Sequence, residues 1–336
     1  MHTGAFHPML NLSAYMLIPT IALSACLCAV WIKIAKTLPW RRDVREDVPE
    51  RHRGKVGTPT MGGLAFVISA ALTCTATAII IRRYDSSRSN AILLLVLVLV
   101  LFALLGAIDD MCKGITGRGI KARYKLLWQG ACGLLIVALL MYEFELPTTF
   151  GAGELGWLYL PFGVLLIMAS SNAMNLTDGL DGLACGISII SLLTLSAISV
   201  ILNGTKPYAI SAAAACVVLA GALFGFLPFN IHPAKVFMGD TGSLSLGAFI
   251  CAASMLMKLE LLWLLIALVP FIEMLSVVIQ VISYKTTKRR VFPITPIHHS
   301  FEQMGWSEWR IVLTFWACTA FCAVCAISIA ALASRV

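Results

Sequence analysis

Long apolar blocks decide what this chain can fold into. The blocks at 12–34, 61–81, 91–108 and 261–282 are long enough to cross a bilayer or nearly so. A large soluble protein with buried helices would need polar helix faces, and these blocks have almost none. Only 12% of the 336 residues are charged, about half the share usual in soluble domains. The first block is too long for a signal-peptide core and has no basic region before it, so it reads as a retained spanning helix. The pattern predicts ten helices, at about 12–34, 61–81, 91–108, 124–142, 157–173, 183–202, 209–228, 243–257, 260–282 and 309–332, the eighth being short. The expected fold is all-α: a polytopic integral membrane protein forming one domain over residues 1–336.

Ten helices leave nine loops. The odd loops carry most of the lysine and arginine: Lys36, Arg41, Arg42, Arg45, Arg51, Arg53 and Lys55 in the first, Lys113, Arg118, Lys121, Arg123 and Lys125 around the third, and Lys285, Lys288, Arg289, Arg290 and Arg310 around the ninth. The positive-inside rule then places the odd loops in the cytoplasm and both termini outside, with Arg82, Arg83 and Arg88 running against it. The net charge of +8 follows largely from this topology and suits contact with anionic membrane lipids. No nucleic-acid module appears, and nucleic acid is excluded as a partner. The cysteines lie mostly in or beside apolar segments, where they behave as small hydrophobes, so zinc or redox chemistry finds no support.

Topology does not explain the acids. Asp109 and Asp110 follow an apolar run, Asp178 and Asp181 lie in Asn175-Leu-Thr-Asp-Gly-Leu-Asp-Gly182, and Asp240 lies in Phe237-Met-Gly-Asp-Thr-Gly242. Carboxylates cannot easily snorkel from depth, and three clusters at helix edges on one face suggest a shared polar site. Taken alone, Asp178 or Asp181 reads equally well as a helix cap or an Asp-Gly turn. The adjacent Asp109 and Asp110 repel each other unless a cation offsets them. Magnesium takes oxygen ligands and keeps substrate phosphates in its shell, although calcium or manganese fits these residue types as well. Gly179, Gly182, Gly239 and Gly242 permit tight turns and close approach to a ligand, whereas Gly221 and Gly225 read as a helix-packing pair.

Several polar side chains could join such a site. His298 and His299, in Pro296-Ile-His-His-Ser-Phe-Glu302, could neutralise phosphate or move a proton, with Glu302 either orienting His298 or capping local structure. Lys55 is a point charge suited to phosphate, and Thr60 either caps a helix or touches ligand. Lys125 could pair with Asp109 or Asp110, snorkel, or meet substrate. Asn172, Asn175 and Asn230 bring amides to helix edges, Asn230 also reading as a turn residue.

These motifs, in this order from Lys55-Val-Gly-Thr-Pro-Thr-Met-Gly-Gly63 to His298-His299-Ser300-Phe301-Glu302, resemble those of the polyprenyl-phosphate N-acetylhexosamine-1-phosphate transferases, and most closely the phospho-N-acetylmuramoyl-pentapeptide transferase branch. The resemblance spans nearly the whole chain. It implies ten spanning helices in the bacterial cytoplasmic membrane, a cytoplasmic-face active-site cleft, a magnesium requirement and a homodimer. The implied donor is UDP-N-acetylmuramoyl-pentapeptide and the acceptor undecaprenyl phosphate, giving UMP and the first lipid intermediate of peptidoglycan synthesis. By motif position, Asp109, Asp110, Asp178 and Asp240 match catalytic or metal-associated acids, with Asp240 the foremost ligand. Lys55, Asp181, Asn230 and Phe237 fall where the family meets uridine, and Lys113, Lys125 and the basic ninth loop could stabilise phosphates. The family usually has a third consecutive histidine where this chain has Ser300, which leaves that histidine's role without an obvious replacement.

The chemistry expected is direct attack by the lipid phosphate, with Asp109 as base where a proton must leave; a covalent aspartyl intermediate is the rival. A sibling enzyme using UDP-N-acetylglucosamine would share the acidic loops but is disfavoured by the His298 segment. A lipid transporter or scaffold would explain the helices but not the polar motifs.

Overall fold

The computed structural model describes residues 6–38, 57–146, 148–150, 153–206 and 208–334. Lys55 and the basic stretch from Arg41 to Arg53 lie outside the described residues. Among the described residues helix dominates, and the only strands form a two-stranded antiparallel hairpin, β1 (Thr149–Phe150) and β2 (Gly153–Glu154). The helices are α1 (Phe6–Thr37), α2 (Gly63–Arg82), α3 (Ser86–Thr116), α4 (Ala122–Ala138), α5 (Tyr159–Thr177), α6 (Leu183–Ile201), α7 (Ala209–Asn230), α8 (Gly239–Leu256), α9 (Glu260–Ile266), α10 (Leu268–Thr287), α11 (Ile297–Gln303) and α12 (Glu308–Ala333).

Among the described residues, nine helices are long and apolar enough to span a membrane: α1 to α7, α10 and α12. The eighth predicted span, α8, is the exception, and its packing explains why. Every residue from Asp240 to Leu256 is buried, so α8 presents no face to lipid and can carry Thr241, Ser243, Ser245 and Ser254. Small residues let its neighbours approach closely, as in membrane helix pairs generally. A Cβ on Gly106 of α3 would fall 2.2 Å from the Asp240 carbonyl oxygen, and one on Gly63 of α2 would fall 2.4 Å from the Gly242 nitrogen. On the α5 side, the Ser170 hydroxyl donates to the Gly247 carbonyl at 2.6 Å and Ser171 donates to that of Leu244 at 3.0 Å. The Gly221–Gly225 pair does what its spacing predicts: a Cβ on Gly225 of α7 would fall 2.3 Å from the Ile21 carbonyl oxygen of α1.

Two differences from the predicted elements bear on the site. The first is that α3 continues to Thr116, so Asp109 and Asp110 sit inside a helix rather than in the loop after it. The second is that the ninth span breaks at Ala267 into α9 and α10. Pro270 supplies the reason: it has no N–H for the Ile266 carbonyl, and its ring crowds that oxygen in a continuous helix. Beyond the break, α10 leaves Leu275, Val278, Ile279 and Ile282 exposed. All eleven cysteines are free; Cys322 and Cys325 have Cys-x-x-Cys spacing but belong to the apolar span α12.

The start of α8 is fixed by a side chain from another helix. Asp110 Oδ1 accepts from the Asp240 amide at 3.1 Å, while Oδ2 accepts from the Thr241 amide at 3.0 Å and the Thr241 hydroxyl at 2.7 Å. A carboxylate in this position meets both the unpaired amides and the positive end of the helix dipole. Asp110→Ala removes the acceptor from three buried donors, each loss costing about 1–3 kcal/mol where water cannot substitute; its thermal midpoint in detergent should fall, and further than that of Thr241→Val. Gly106→Val should lower the midpoint by overpacking, at a cost of about 1–3 kcal/mol. Leu104→Val on the same helix, at a side chain 50% exposed on the outer surface, should leave it nearly unchanged.

Candidate active site

The helix ends that the odd loops join meet at one end of the bundle. The segment before α2 pairs with the segment before α8: the Gly62 amide donates to the Phe237 carbonyl at 2.8 Å, and the Phe237 amide to that of Pro59 at 2.9 Å. This pairing places Phe237, half-buried, and Thr60 beside the start of α8. The Thr60 carbonyl accepts from Trp31 at 2.9 Å. Gly239, at φ +71°, needs its missing side chain, since a Cβ would fall 2.5 Å from Asp110 Oδ2 and 2.8 Å from the Thr60 hydroxyl.

Asp240, in the first turn of α8, is the centre of the cluster. Its Oδ1 lies 2.8 Å from Lys113 Nζ and accepts from Asn175 Nδ2 at 3.1 Å, while its Oδ2 is in close contact with Lys125 Nζ. Lys113, one turn beyond Asp109 on α3, also reaches Asp109 Oδ2 at 2.7 Å, and Lys125 lies 3.6 Å from the same oxygen. Asp109 Oδ1 accepts from the Ile120 amide at 2.5 Å, which ties the loop after α3 to the cluster. Asn175 holds its orientation by donating to Ser243 at 2.9 Å. Asn172, one turn earlier on α5, is paired with Gln129 of α4, donating to it at 2.8 Å.

Asp178 caps the end of α5 and is half-buried. Desolvation of its carboxyl, then the negative charges of Asp240 and Asp110, hold it well above the usual carboxylate range. Carboxylates from Asp109 and Asp240 thus meet two lysines, with Asp178 near enough to feel the Asp240 charge. That donor set suits a hard divalent cation.

A second cluster sits on the loops either side of this one. The Asp181 carboxylate lies 2.9 Å from His232 Nδ1 and accepts from the Ala234 amide at 3.0 Å, while Glu308 at the start of α12 accepts from the Asp181 amide at 2.8 Å. Glu308 also faces His232 at 3.3 Å. Asp181 is therefore bound to the 231–236 loop rather than to the Asp240 cluster. Asn230 is buried at the end of α7; its amide donates to the Val236 carbonyl at 3.1 Å, and its Oδ1 has no hydrogen-bond partner. His232 and Glu308 were invisible as site residues in the sequence, because each becomes informative only when loops far apart in the chain meet.

The histidine segment differs most from expectation. His298 is fully buried and lies against Glu273 of α10, with Nδ1 3.2 Å from Oε2. Glu302 pairs instead with the half-buried His299, at 2.6 Å. Ser300, where the family usually has a third histidine, is buried and hydrogen-bonds its hydroxyl to the Ile294 carbonyl at 2.5 Å. It fastens the preceding loop to α11, a structural task that needs no imidazole.

Comparison with known proteins agrees with this architecture. Residues 92–258 match the model of glycosyl transferase family 4, and residues 55–67 match signature 1 of the phospho-N-acetylmuramoyl-pentapeptide transferases. The phospho-N-acetylmuramoyl-pentapeptide transferase of Halalkalibacterium halodurans is 41% identical over 312 residues, covering 89% of this chain and 92% of that protein. The enzyme of the same name from Bacillus pumilus is 39% identical over 322 residues, covering 94% and 97%, and that of Bacillus subtilis is 40% identical over 314, covering 91% and 94%. With its apolar helices, its gathered acids and its signature segment, the chain belongs to the phospho-N-acetylmuramoyl-pentapeptide transferase family.

Proposed function

We propose that the protein transfers phospho-N-acetylmuramoyl-pentapeptide from UDP-N-acetylmuramoyl-pentapeptide to undecaprenyl phosphate, releasing UMP. The observation that carries this reading is the convergence of Asp109 and Asp240 with Lys113, Lys125 and Asn175 at one end of an apolar bundle, in a chain of this family. A soluble nucleotide donor meets that end from water, and a polyprenyl acceptor reaches it from the bilayer. The density of lysine and arginine in the odd loops favours the cytoplasmic side for this end, with the termini outside. The homodimer in this reading rests on the family resemblance alone.

Asp240, with Asp109 and Asp178, would hold magnesium, which supplies electrophilic stabilisation of the pyrophosphate oxygens. Lys113 and Lys125 are placed to meet negative charge building on the phosphates, as preorganised donors do in transfer reactions generally. Lys113 is the more accessible of the two, its side chain 45% exposed against 16% for Lys125, and so is the nearer to an entering donor. Asn175 orients Asp240, and Gln129 orients Asn172. Asp109 is the base in this reading, needed only while the acceptor phosphate carries a proton. Phe237 and Asn230 flank the start of α8 and offer an aromatic face and an amide for the uridine end of the donor.

A substrate panel with purified protein in detergent tests the reading. UMP release should require both magnesium and undecaprenyl phosphate and should follow the muramoyl-pentapeptide donor rather than UDP-N-acetylglucosamine; preference for the latter would assign the sibling reaction. Asp240→Ala should lower turnover by about 100-fold or more while remaining folded. Near-normal transfer by that variant would reject Asp240 as the metal-holding acid.

A further inference from the structure

An ionisable residue inside a membrane helix is costly unless it has a partner and a task. Glu273 is such a residue. It lies in α10, has no exposed surface, and faces a histidine that also has none. The two approach to 3.2 Å, off the line of a hydrogen bond, and among the described residues neither the Glu273 oxygens nor the His298 ring nitrogens have another hydrogen-bond partner. Two buried polar groups that face only each other are stable when they share a proton. A small rotation of either side chain completes that bond.

The other edge of the imidazole has an equally definite neighbour. A Cβ on Gly179 would fall 2.2 Å from His298 Nε2. Glycine at 179 is therefore what admits the ring, and Nε2 lies against the turn that carries Asp178. The imidazole is a wedge between α10 and the Asp178 turn, and Glu273 stands on the side away from that turn. His299, its ring tilted by 58° against that of His298 with centroids 4.1 Å apart, limits how far the ring can swing.

We propose that Glu273 is the positioning residue for His298: its carboxylate accepts a hydrogen bond from Nδ1–H, which fixes the tautomer and turns Nε2 towards the Asp178 turn. Partners of this kind set which ring nitrogen of a histidine is available for chemistry. The inference rests on the reading that the His298 segment belongs to the transferase site, and it adds a residue that the motifs do not contain.

Selective 15N labelling tests the pair without substrate. The chain has only six histidines, so His298 can be assigned by comparison with His298→Gln. In the full-length wild type, Nδ1 of His298 should be protonated, and Nε2 should become the bare nitrogen when the ring is neutral. Glu273→Gln should alter that signal and lower kcat by about 10–100-fold, as loss of a histidine's outer partner does elsewhere, with the donor KM within about twofold. Glu273→Asp should recover part of the loss. The double variant Glu273→Gln/His298→Gln should be no slower than His298→Gln alone, because the two act as one unit. A bare Nδ1 in the wild type would overturn the proposal, as would wild-type kcat in Glu273→Gln or independent, multiplicative losses in the double variant. The wild-type spectrum decides even if Glu273→Gln does not fold, and it stands whichever donor the enzyme proves to use.

Discussion

Asp240 carries its charge at the buried start of a helix that touches no lipid, and the rest of the site is arranged around offsetting it. Lys113 and Lys125 approach its two oxygens from α3 and α4, Asn175 donates from α5, and Asp110 secures the amides of the same helical turn. Three helices, α3, α4 and α5, therefore converge on one turn of α8. Burial makes this necessary: a carboxylate as enclosed as that of Asp240, without cations and donors, would exact several kcal/mol of desolvation. The same convergence holds lysines and carboxylates in position, and in the proposed reaction these would meet phosphates and a divalent cation.

The aspartates divide into distinct tasks once their partners are seen. Asp110 spends both oxygens on the start of α8, which makes it a structural cap as well as a candidate ligand. Asp109 shares its oxygens between two lysines and the loop after α3. Desolvation, then the charges of Asp240 and Asp110, make the Asp178 carboxyl hard to ionise. Asp181 belongs to the His232–Glu308 cluster, which ties three loops together. Three acidic clusters on one predicted face suggested a shared polar site; the helices sort them into one centre and its supports.

Most of the architecture was legible in the sequence because apolar blocks must become helices in a bilayer. The predicted spans agree with the observed helices to within a few residues at most ends, and the missing outer face of α8 was foreshadowed by its shortness. The extension of α3 past its apolar run was not legible, because it depends on Lys113 being drawn to Asp109 and Asp240 from the same helix. The break at Ala267 had its signal in Pro270. Glu273 had a signal too, a lone acid in an apolar block, but its partner is a histidine beyond the end of that helix. The pairing of Glu302 with His299 rather than His298 likewise depends on which face of α11 turns inward.

The proposed reaction requires Asp240 to hold the divalent cation. Anomalous diffraction from crystals of the full chain grown with manganese tests this most directly. The account predicts a peak at about 2–2.5 Å from a carboxylate oxygen of Asp240, within the range for oxygen ligands of such ions. A peak at the other convergence of ligand atoms, Asp181, His232 and Glu308, with none at Asp240, would contradict it.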